Sequence, residues 1–530
     1  MKKVLLMIIA CCLPAIFIYA QNGLLDPAFG ANGYVIADFG QNFNRAISVA
    51  LYNDGKVVAA GSVQNLDGDD FGADFAIAKY NEDGSTAADF GTNGMVITDM
   101  NNQSSDIAMD VVIQDDGKIV VAGRSHAGSA YENYHFAIVR YNPDGSLDQS
   151  FGSQGKVLYP YESNGDYSYK ISMAIQADGK IVVTGTCYQS NFNVFLTVRF
   201  TTAGQIDSTF GINGKVITSF GRYFDGNPNA ILVQSNGKIL VGGLVHGSIS
   251  YPTGVDFALV RYEPNGTPDN SFGVNGIVLT PAVDGSGYDW IEDLAVLSDG
   301  KIIAVGNTEV FENGNSLYRV AIVRYLSDGT LDNSFGISGK VLTDFGSLSA
   351  YVTGVAVTGF NDIFVGGNWQ NQNGEYDFLL AKFTALGAPF PGFGENGMTI
   401  TDINMLESGM DVKFQSSGKI VAAGLTGDTV HHDFVVLRYL DGIHPGNDEL
   451  IQDNQIEIFP NPVVDILSVR SAEQENINLK IMDIRGKQLL FSPLPTSDHR
   501  IDVSNLPAGI YFLILEKNNE MIFHKKLIKK

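Results

Sequence analysis

FGTNGMVITD (90–99), DVVIQDDGKIVVAG (110–123) and FAIVRYNPDGSLDQS (136–150) are the pieces of a unit that recurs along the chain. Met95 to Thr98 is a short β-rich run. Asp110 to Gln114 alternates in polarity and meets Asp115-Asp116-Gly117, a hairpin signal, after which Lys118 to Ala122 returns. Phe136 to Tyr141 is a fourth strand, stopped by Asn142-Pro143-Asp144-Gly145. Four strands per unit without helical periodicity predict one blade of a β-propeller. A linear solenoid is the alternative, but solenoid repeats are usually shorter and need distinct caps.

Outward from this unit, Phe-Gly recurs at Phe29, Phe90, Phe151, Phe210, Phe272, Phe335 and Phe393, at spacings of 58 to 63 residues. The hairpin glycine recurs at Gly55, Gly117, Gly179, Gly237, Gly300 and Gly418, with Asn361-Asp362 in the sixth unit. The count predicts an all-β fold with a seven-bladed propeller of four-stranded blades over residues 21–442. The chain enters with a spare Phe-Gly strand and leaves after Phe434–Tyr439 without one. An open sheet edge invites aggregation, so Tyr34–Ala37 is expected to pair beside Val435–Tyr439 and close the ring.

The full chain has 530 residues, 59 of them Gly, and is 45% hydrophobic, enough for a large core. Its net charge is −24, with −27 on residues 21–454 and +1 on residues 455–530. Such acidity disfavours nucleic acid as a partner. Lys2 and Lys3 followed by uncharged Val4 to Ala20 read as a signal peptide over residues 1–20, cut after Ala20. A membrane helix would sit at the short limit for a span. Ile8-Ile9-Ala10-Cys11 has the form of a lipoprotein box, but apolar residues continue to Ala20, which favours simple cleavage. Cys187 then remains alone, so no intramolecular disulfide is expected, and a buried small hydrophobe is the expected role.

The pattern LDxSFGxxGKV … DGKIVVAG … DFAIVRYNxDG resembles the delta-60 repeat of bacterial exported proteins over residues 24 to 442. That resemblance implies a propeller and no reaction. After a polar linker at 443–455, residues 456–530 carry short strands expected to form a small immunoglobulin-like β-sandwich. The motifs FPNPxxDxL, IMDIRGKQL, LPAGIYFLIL and HKKLIKK, in that order, are similar to the C-terminal sorting domain of the type IX secretion system. Its motif residues here are Pro460, Asn461, Pro462, Gly486, Pro507, Gly509, Tyr511, Lys525 and Lys526. The resemblance implies delivery across the outer membrane by that machinery. It also implies removal of this domain, with release of the rest or glycolipid attachment at the cell surface. The protein is expected to act as a monomer.

Catalytic motifs are absent: there is no His-Glu-x-x-His, no Gly-x-Ser-x-Gly and no phosphate loop. The sequence therefore reads as non-enzymatic, with no cofactor and no metal. His126 and His246 read as solvated loop residues. Asp67, Asp69, Asp70 and Asp74 read as a solvated acidic loop, since the calcium loop with its closing Glu is missing. A cation precedes the last aromatic of each fourth strand: Lys79, Arg140, Arg199, Arg261, Arg324, Lys382 and Arg438. These either ring the channel or, the better reading, fork onto the turn carboxylates Asp148, Asp207, Asp269 and Asp332.

The loops that vary between units lie on one face and hold most of the unpatterned aromatics. Tyr167, Tyr223, Tyr288, Trp290, Tyr351 and Trp369 are the candidate ligand-binding residues. The expected function is a secreted or surface-bound binding, adhesion or scaffold module for a glycan or protein. The alternative is a carbohydrate-active hydrolase or lyase with carboxylates in the central pocket, such as Asp289 and Glu292.

Overall fold

The computed structural model describes residues 22–441 and 456–529, less 41–42, 65–71, 102–103, 128–133, 162–169, 222–223, 248–253, 283–286, 313–314, 391, 404–405, 416, 429–430, 460–462, 472–476, 484–487, 495–497, 508 and 518–519. The expected signal peptide and linker, and the residues Tyr167, Tyr223, Pro460, Asn461, Pro462, Gly486 and Asp67 to Asp70, lie outside them. Two compact units divide between Gly442 and Ile443.

The first unit is built of antiparallel sheets. Ser104–Ile113, Ile119–Ala127, Tyr134–Tyr141 and Lys156–Pro160 form one four-stranded sheet in chain order, and four more of the same order follow from Ser172 to Thr401. The remaining strands form a single eight-stranded sheet. In it Leu406–Phe414, Lys419–Gly427 and His432–Leu440 join Phe43–Leu51, Val57–Gln64, Ala73–Tyr80 and Met95–Thr98 through one parallel pair, Phe43 and His432. The expectation of seven separate four-stranded blades is thereby corrected: five stand alone. The repeat counts strands, but it carries no sign of which neighbouring inner strands hydrogen-bond to each other.

The N-terminal strand pairs as its displaced repeat requires. Tyr34–Ala37 runs antiparallel to Phe434–Leu437 in the same sheet. Gly23 N–H donates to Leu440 O at 2.8 Å, Leu440 N–H to Leu24 O at 2.9 Å and Asp26 N–H to Arg438 O at 2.7 Å. The two ends of the array are stitched by backbone, which leaves no free edge there.

The core lies between successive sheets. Every Phe of the Phe-Gly pairs is fully buried. The glycine that follows is needed because the chain turns left-handed at once: Gly91 has φ 51°, and a Cβ there would meet Met95 O at 2.3 Å. Cys187 is buried in the cluster that holds Phe136, Val183 and Phe200, as expected of a small hydrophobe.

The repeated cations are clamps. Arg140 Nε donates to Asp148 Oδ2 at 2.7 Å and Arg261 Nε to Asp269 Oδ2 at 2.6 Å. Each guanidinium also reaches a turn carbonyl of the next unit, Thr202 O for Arg140 and Ser327 O for Arg261. It lies over the Phe-Gly ring, Phe151 at 4.5 Å and Phe272 at 4.3 Å. Arg438 repeats the device across the ends, with Nε and Nη2 both 2.8 Å from Asp26 Oδ2. Where the cation is lysine the partner changes, as in Lys382 with Asp441 at 2.8 Å.

The second unit has a three-stranded sheet, ordered Ile456–Phe459, Ile466–Ser471, Asp498–Asp502. Its four-stranded sheet is ordered Gln488–Leu494, Ile477–Asp483, Gly509–Lys517, Glu520–Lys529. Leu467, Val469, Leu479, Ile481 and Leu513 share one core. The immunoglobulin-like arrangement expected from strand spacing is not shown, because spacing predicts strands and not the order in which they pair. Tyr511 Oη donates to Pro507 O at 2.7 Å, which ties two of the motif residues together. Gly509, Lys525 and Lys526 all lie in the last two strands.

Candidate functional site

A cleft of about 530 Å³ opens where three sheets meet. Asn193 comes from Phe192–Phe200, Asp225 and Asn227 from Phe224–Val233, and His246 from Ile239–Gly247. Trp290, Glu309 and Tyr318 come from the next sheet, with Tyr288 just before its first strand. Tyr288 is bridged to Val255 of the neighbouring sheet, and its carbonyl accepts Glu309 N–H at 2.9 Å. It is 51% exposed, and its ring stacks on His246 at 5.9 Å.

Trp290 is half-buried at the wall of the cleft. Its Nε1–H donates to Glu292 Oε1 at 2.7 Å, and its ring meets Tyr318 edge-on at 5.8 Å. Tyr318 packs on Tyr351 at 4.7 Å and Tyr351 on Tyr376 at 5.9 Å, so aromatic surface runs away from the cleft across two sheets. Burial, with Tyr376, Tyr318 and Glu309 adding, pushes the Tyr351 hydroxyl pKa up. That hydroxyl stays a neutral donor at any ordinary pH.

Glu292 is the extra residue of a β-bulge between Ile291 and Asp293. A bulge bends its strand and re-aims a side chain, and here Glu292 faces Trp290 on one side and Lys170 Nζ, at 3.1 Å, on the other. Similar bulges place Asp110, Asp293 and Asp411 one per inner strand. Each carboxylate accepts a backbone N–H from a neighbouring inner strand: Met173 for Asp110 at 2.7 Å, Val355 for Asp293 at 2.9 Å and Val49 for Asp411 at 3.0 Å. Lys413 Nζ sits 2.6 Å from Asp411. Burial pushes Asp110 up to about 6, with Met173 N–H and Lys413 opposing and Asp411 adding. Burial likewise raises Asp293, against Lys413, Lys170 and Val355 N–H. The strand-to-strand bonds make this ring of carboxylates a lock between inner strands.

Two groups of three acids offer oxygens within 4.8 Å of one another: Asp74, Asp99 and Asp106, and Asp377, Asp402 and Glu407. Each draws residues from adjoining repeat units. Burial first, then Asp99 and Asp106, raise Asp74 to about 6. Such hard oxygen donors suit a calcium-type ion, though three carboxylates are fewer than the six to eight ligands calcium takes. Asp74 is thus a strand residue set against other acids, not part of a solvated loop.

Of the sequence candidates, the cleft gathers Tyr288 and Trp290, and Tyr351 follows through Tyr318. Trp369 stands elsewhere: its Nε1–H donates to Phe345 O at 3.2 Å and its ring packs on the core around Phe383. Asp289 is buried and accepts Ala282 N–H at 2.6 Å, while Glu292 is engaged by Trp290 and Lys170. His246 is corrected from a loop residue to a strand residue facing the cleft, and His126 likewise lies in a strand, stacked on Tyr134 at 4.6 Å. Sequence reasoning missed Asp225, Glu309 and Tyr318. The one available signal was the departure of residues 288–292 and 309–318 from the repeat pattern.

Residues 457–530 match the model of a secretion system C-terminal sorting domain. Residues 53–86, 114–151, 176–210, 234–272 and 297–335 match a β-propeller domain of unknown function, DUF5122: five segments and not seven. No curated protein matches the chain in sequence. Among solved structures it is similar to the polysaccharide lyase Uly1, at 12% identity over 81% of this chain and 94% of that one, TM-score 0.45. It is also similar to a PL25 ulvan lyase bound to -[GlcA(1-4)Rha3S]-, at 12% identity over 77% and 96%, TM-score 0.41. A PQQ-bound aldose sugar dehydrogenase from Streptomyces coelicolor is similar at 10% identity over 63% and 94%, TM-score 0.34. These likenesses are of fold alone. The reading of the chain as non-enzymatic is corrected on another ground: the absence of a catalytic motif excludes no reaction, because groups from different strands can meet without one. The protein is a β-propeller exported by the type IX secretion system to the cell surface or medium, and its C-terminal domain engages that machinery.

Proposed function

We propose that this exported β-propeller binds a sugar chain in the cleft walled by Tyr288, Trp290 and Tyr318. The observation that carries the reading is the pairing of exposed aromatic faces with carboxylates and amides around one open cavity. Flat rings cover the apolar face of a pyranose at low entropy cost. Asp225, Glu309, Asn193 and Asn227 stand around them to accept hydroxyl hydrogens. Trp290 has its N–H already satisfied by Glu292, so it offers a ring face held in place. Export through the C-terminal sorting domain fits this role, since the exported chain meets its ligands outside the cell.

A glycan array followed by calorimetry tests the reading. Trp290→Ala should weaken a glycan hit by about 1–3 kcal/mol and leave the melting temperature within about 2 °C. Retention of full affinity by Trp290→Ala, or array hits on proteins alone, defeats it. A second reading, cleavage of the bound chain, is favoured by His246 stacked on the Tyr288 ring at 5.9 Å, because imidazole and phenol beside two carboxylates are groups able to move protons. Release of new chain ends by the wild type and not by His246→Ala supports it; no release from any bound glycan removes it.

A further inference from the structure

We infer that the sugar chain the cleft takes is non-acidic: its lining selects against uronate and sulfate. This inference rests on the glycan-binding reading above and narrows it to a substrate class. Two carboxylates, Asp225 and Glu309, line the cleft, and among the described residues no lysine or arginine does. Asp225 Oδ1 accepts Asn193 N–H at 2.7 Å and Glu309 accepts the Ser316 hydroxyl. Both are thus held in place by neutral donors.

Among the described residues, the nearby cations Lys170 and Arg319 are engaged elsewhere. Lys170 is bound to Glu292, at 3.1 Å from its carboxylate and 2.7 Å from its carbonyl. Burial lowers the Lys170 pKa, but Glu292 and Asp293 more than offset it and raise it. Lys170 therefore stays an ammonium neutralised by Glu292. Arg319 follows Tyr318, and alternate residues of a strand face opposite sides. It reaches Leu348 O at 3.1 Å and Asp344 at 3.8 Å. Residues 21–454 carry a net charge of −27, so the long-range field has the same sign as the local one.

An anion in this cleft would leave water for amide, imidazole and phenol donors with no lysine or arginine among the described lining residues, and it would face two carboxylates. Recognition of carboxylate or sulfate calls for arginine forks or lysines. What the lining provides is carboxylate and amide oxygens to accept from hydroxyls, with neutral donors from Asn193, Asn227, Tyr288 and Tyr318 beside them. The class that fits is a neutral glycan, or one with amine donors.

The test uses the full mature chain and matched ligand pairs that differ only in charge. Oligogalacturonate and its methyl ester form one pair, and a desulfated and a native sulfated galactan oligomer form another. The neutral member of at least one pair is expected to bind about tenfold tighter or better at low ionic strength, with the gap narrowing as salt is added. Asp225→Asn with Glu309→Gln should shrink the gap by raising affinity for the acidic member, with folding checked by the unchanged melting curve. Equal or tighter binding of the acidic member overturns the inference while leaving glycan binding intact. Failure of every glycan on the array to bind overturns the glycan-binding reading itself, and this inference falls with it.

Discussion

Asp26→Ala tests whether the N-terminal segment holds the propeller closed. Asp26 is 3% exposed and accepts both Nε and Nη2 of Arg438, with Lys419 Nζ at 3.1 Å. Its other oxygen accepts Ala28 N–H at 3.0 Å. Burial alone would raise its pKa, but Ala28 N–H, Lys419 and Arg438 together hold it below the ordinary value. The change to alanine leaves Arg438, 2% exposed, with the Glu82 carbonyl and the Phe29 ring but no counter-charge. Removing one partner of a buried pair costs about 3–5 kcal/mol. At an unfolding entropy of about 2.1 cal/mol/K per residue, roughly 420 residues lose about 1 °C per kcal/mol. Scanning calorimetry should therefore show a drop of roughly 3–6 °C, by that same scaling. Hydrogen exchange locates the effect: amides of Tyr34–Ala37, paired with Phe434–Leu437, should lose protection. Asp269→Ala breaks the same clamp in mid-array and should lower stability comparably while sparing those amides. A shift under 1 °C together with unchanged Tyr34–Ala37 protection would refute the reasoning.

Three further outcomes follow from the same structure. Stability should rise as pH falls from 7.5 to about 4.5, because Asp110 and Asp74 titrate near 6 in the fold against about 3.9 unfolded, so their ionised forms cost stability at neutral pH. It should fall again below about pH 4 as the clamp carboxylates, held near 2 at Asp207 and Asp332, are protonated on the way down to that value. Melting curves against pH check both limbs, and Asp110→Asn should make the upper one shallower while leaving the lower one unchanged. Trp369→Ala should cost about 3 kcal/mol of stability by urea titration and leave glycan binding unchanged, the reverse of Trp290→Ala. Truncation after Gly442 should leave a folded, soluble propeller that accumulates in the periplasm; its appearance at the cell surface by protease shaving would contradict the sorting role of residues 457–530.

What the sequence made legible is what the fold must repeat. Phe-Gly recurs because a buried ring and a left-handed glycine must sit side by side at every turn into the outer strand. The clamp was readable because Arg140, Arg199, Arg261 and Arg324 each precede their aspartate by eight residues. That places each aspartate in the turn that follows the arginine's strand. The pairing of Tyr34–Ala37 with Phe434–Leu437 was readable from a surplus at one end and a deficit at the other. The fusion of two sheets through Phe43 and His432 was not, since one parallel pair leaves no periodic trace. The cleft was half legible for a related reason. Trp290 and Tyr288 stand out because they break the pattern, but Asp225, His246 and Glu309 reach them from other strands, at distances along the chain that no motif encodes. A ring of near-identical units has no preferred place to bind anything. A ligand needs a junction where the units differ, and the junction of Asp225, His246 and Tyr288 combines an open cavity, an exposed Tyr288 ring and two carboxylates with no lysine or arginine lining it among the described residues. The repeat thus carries the fold, and its departures carry the chemistry.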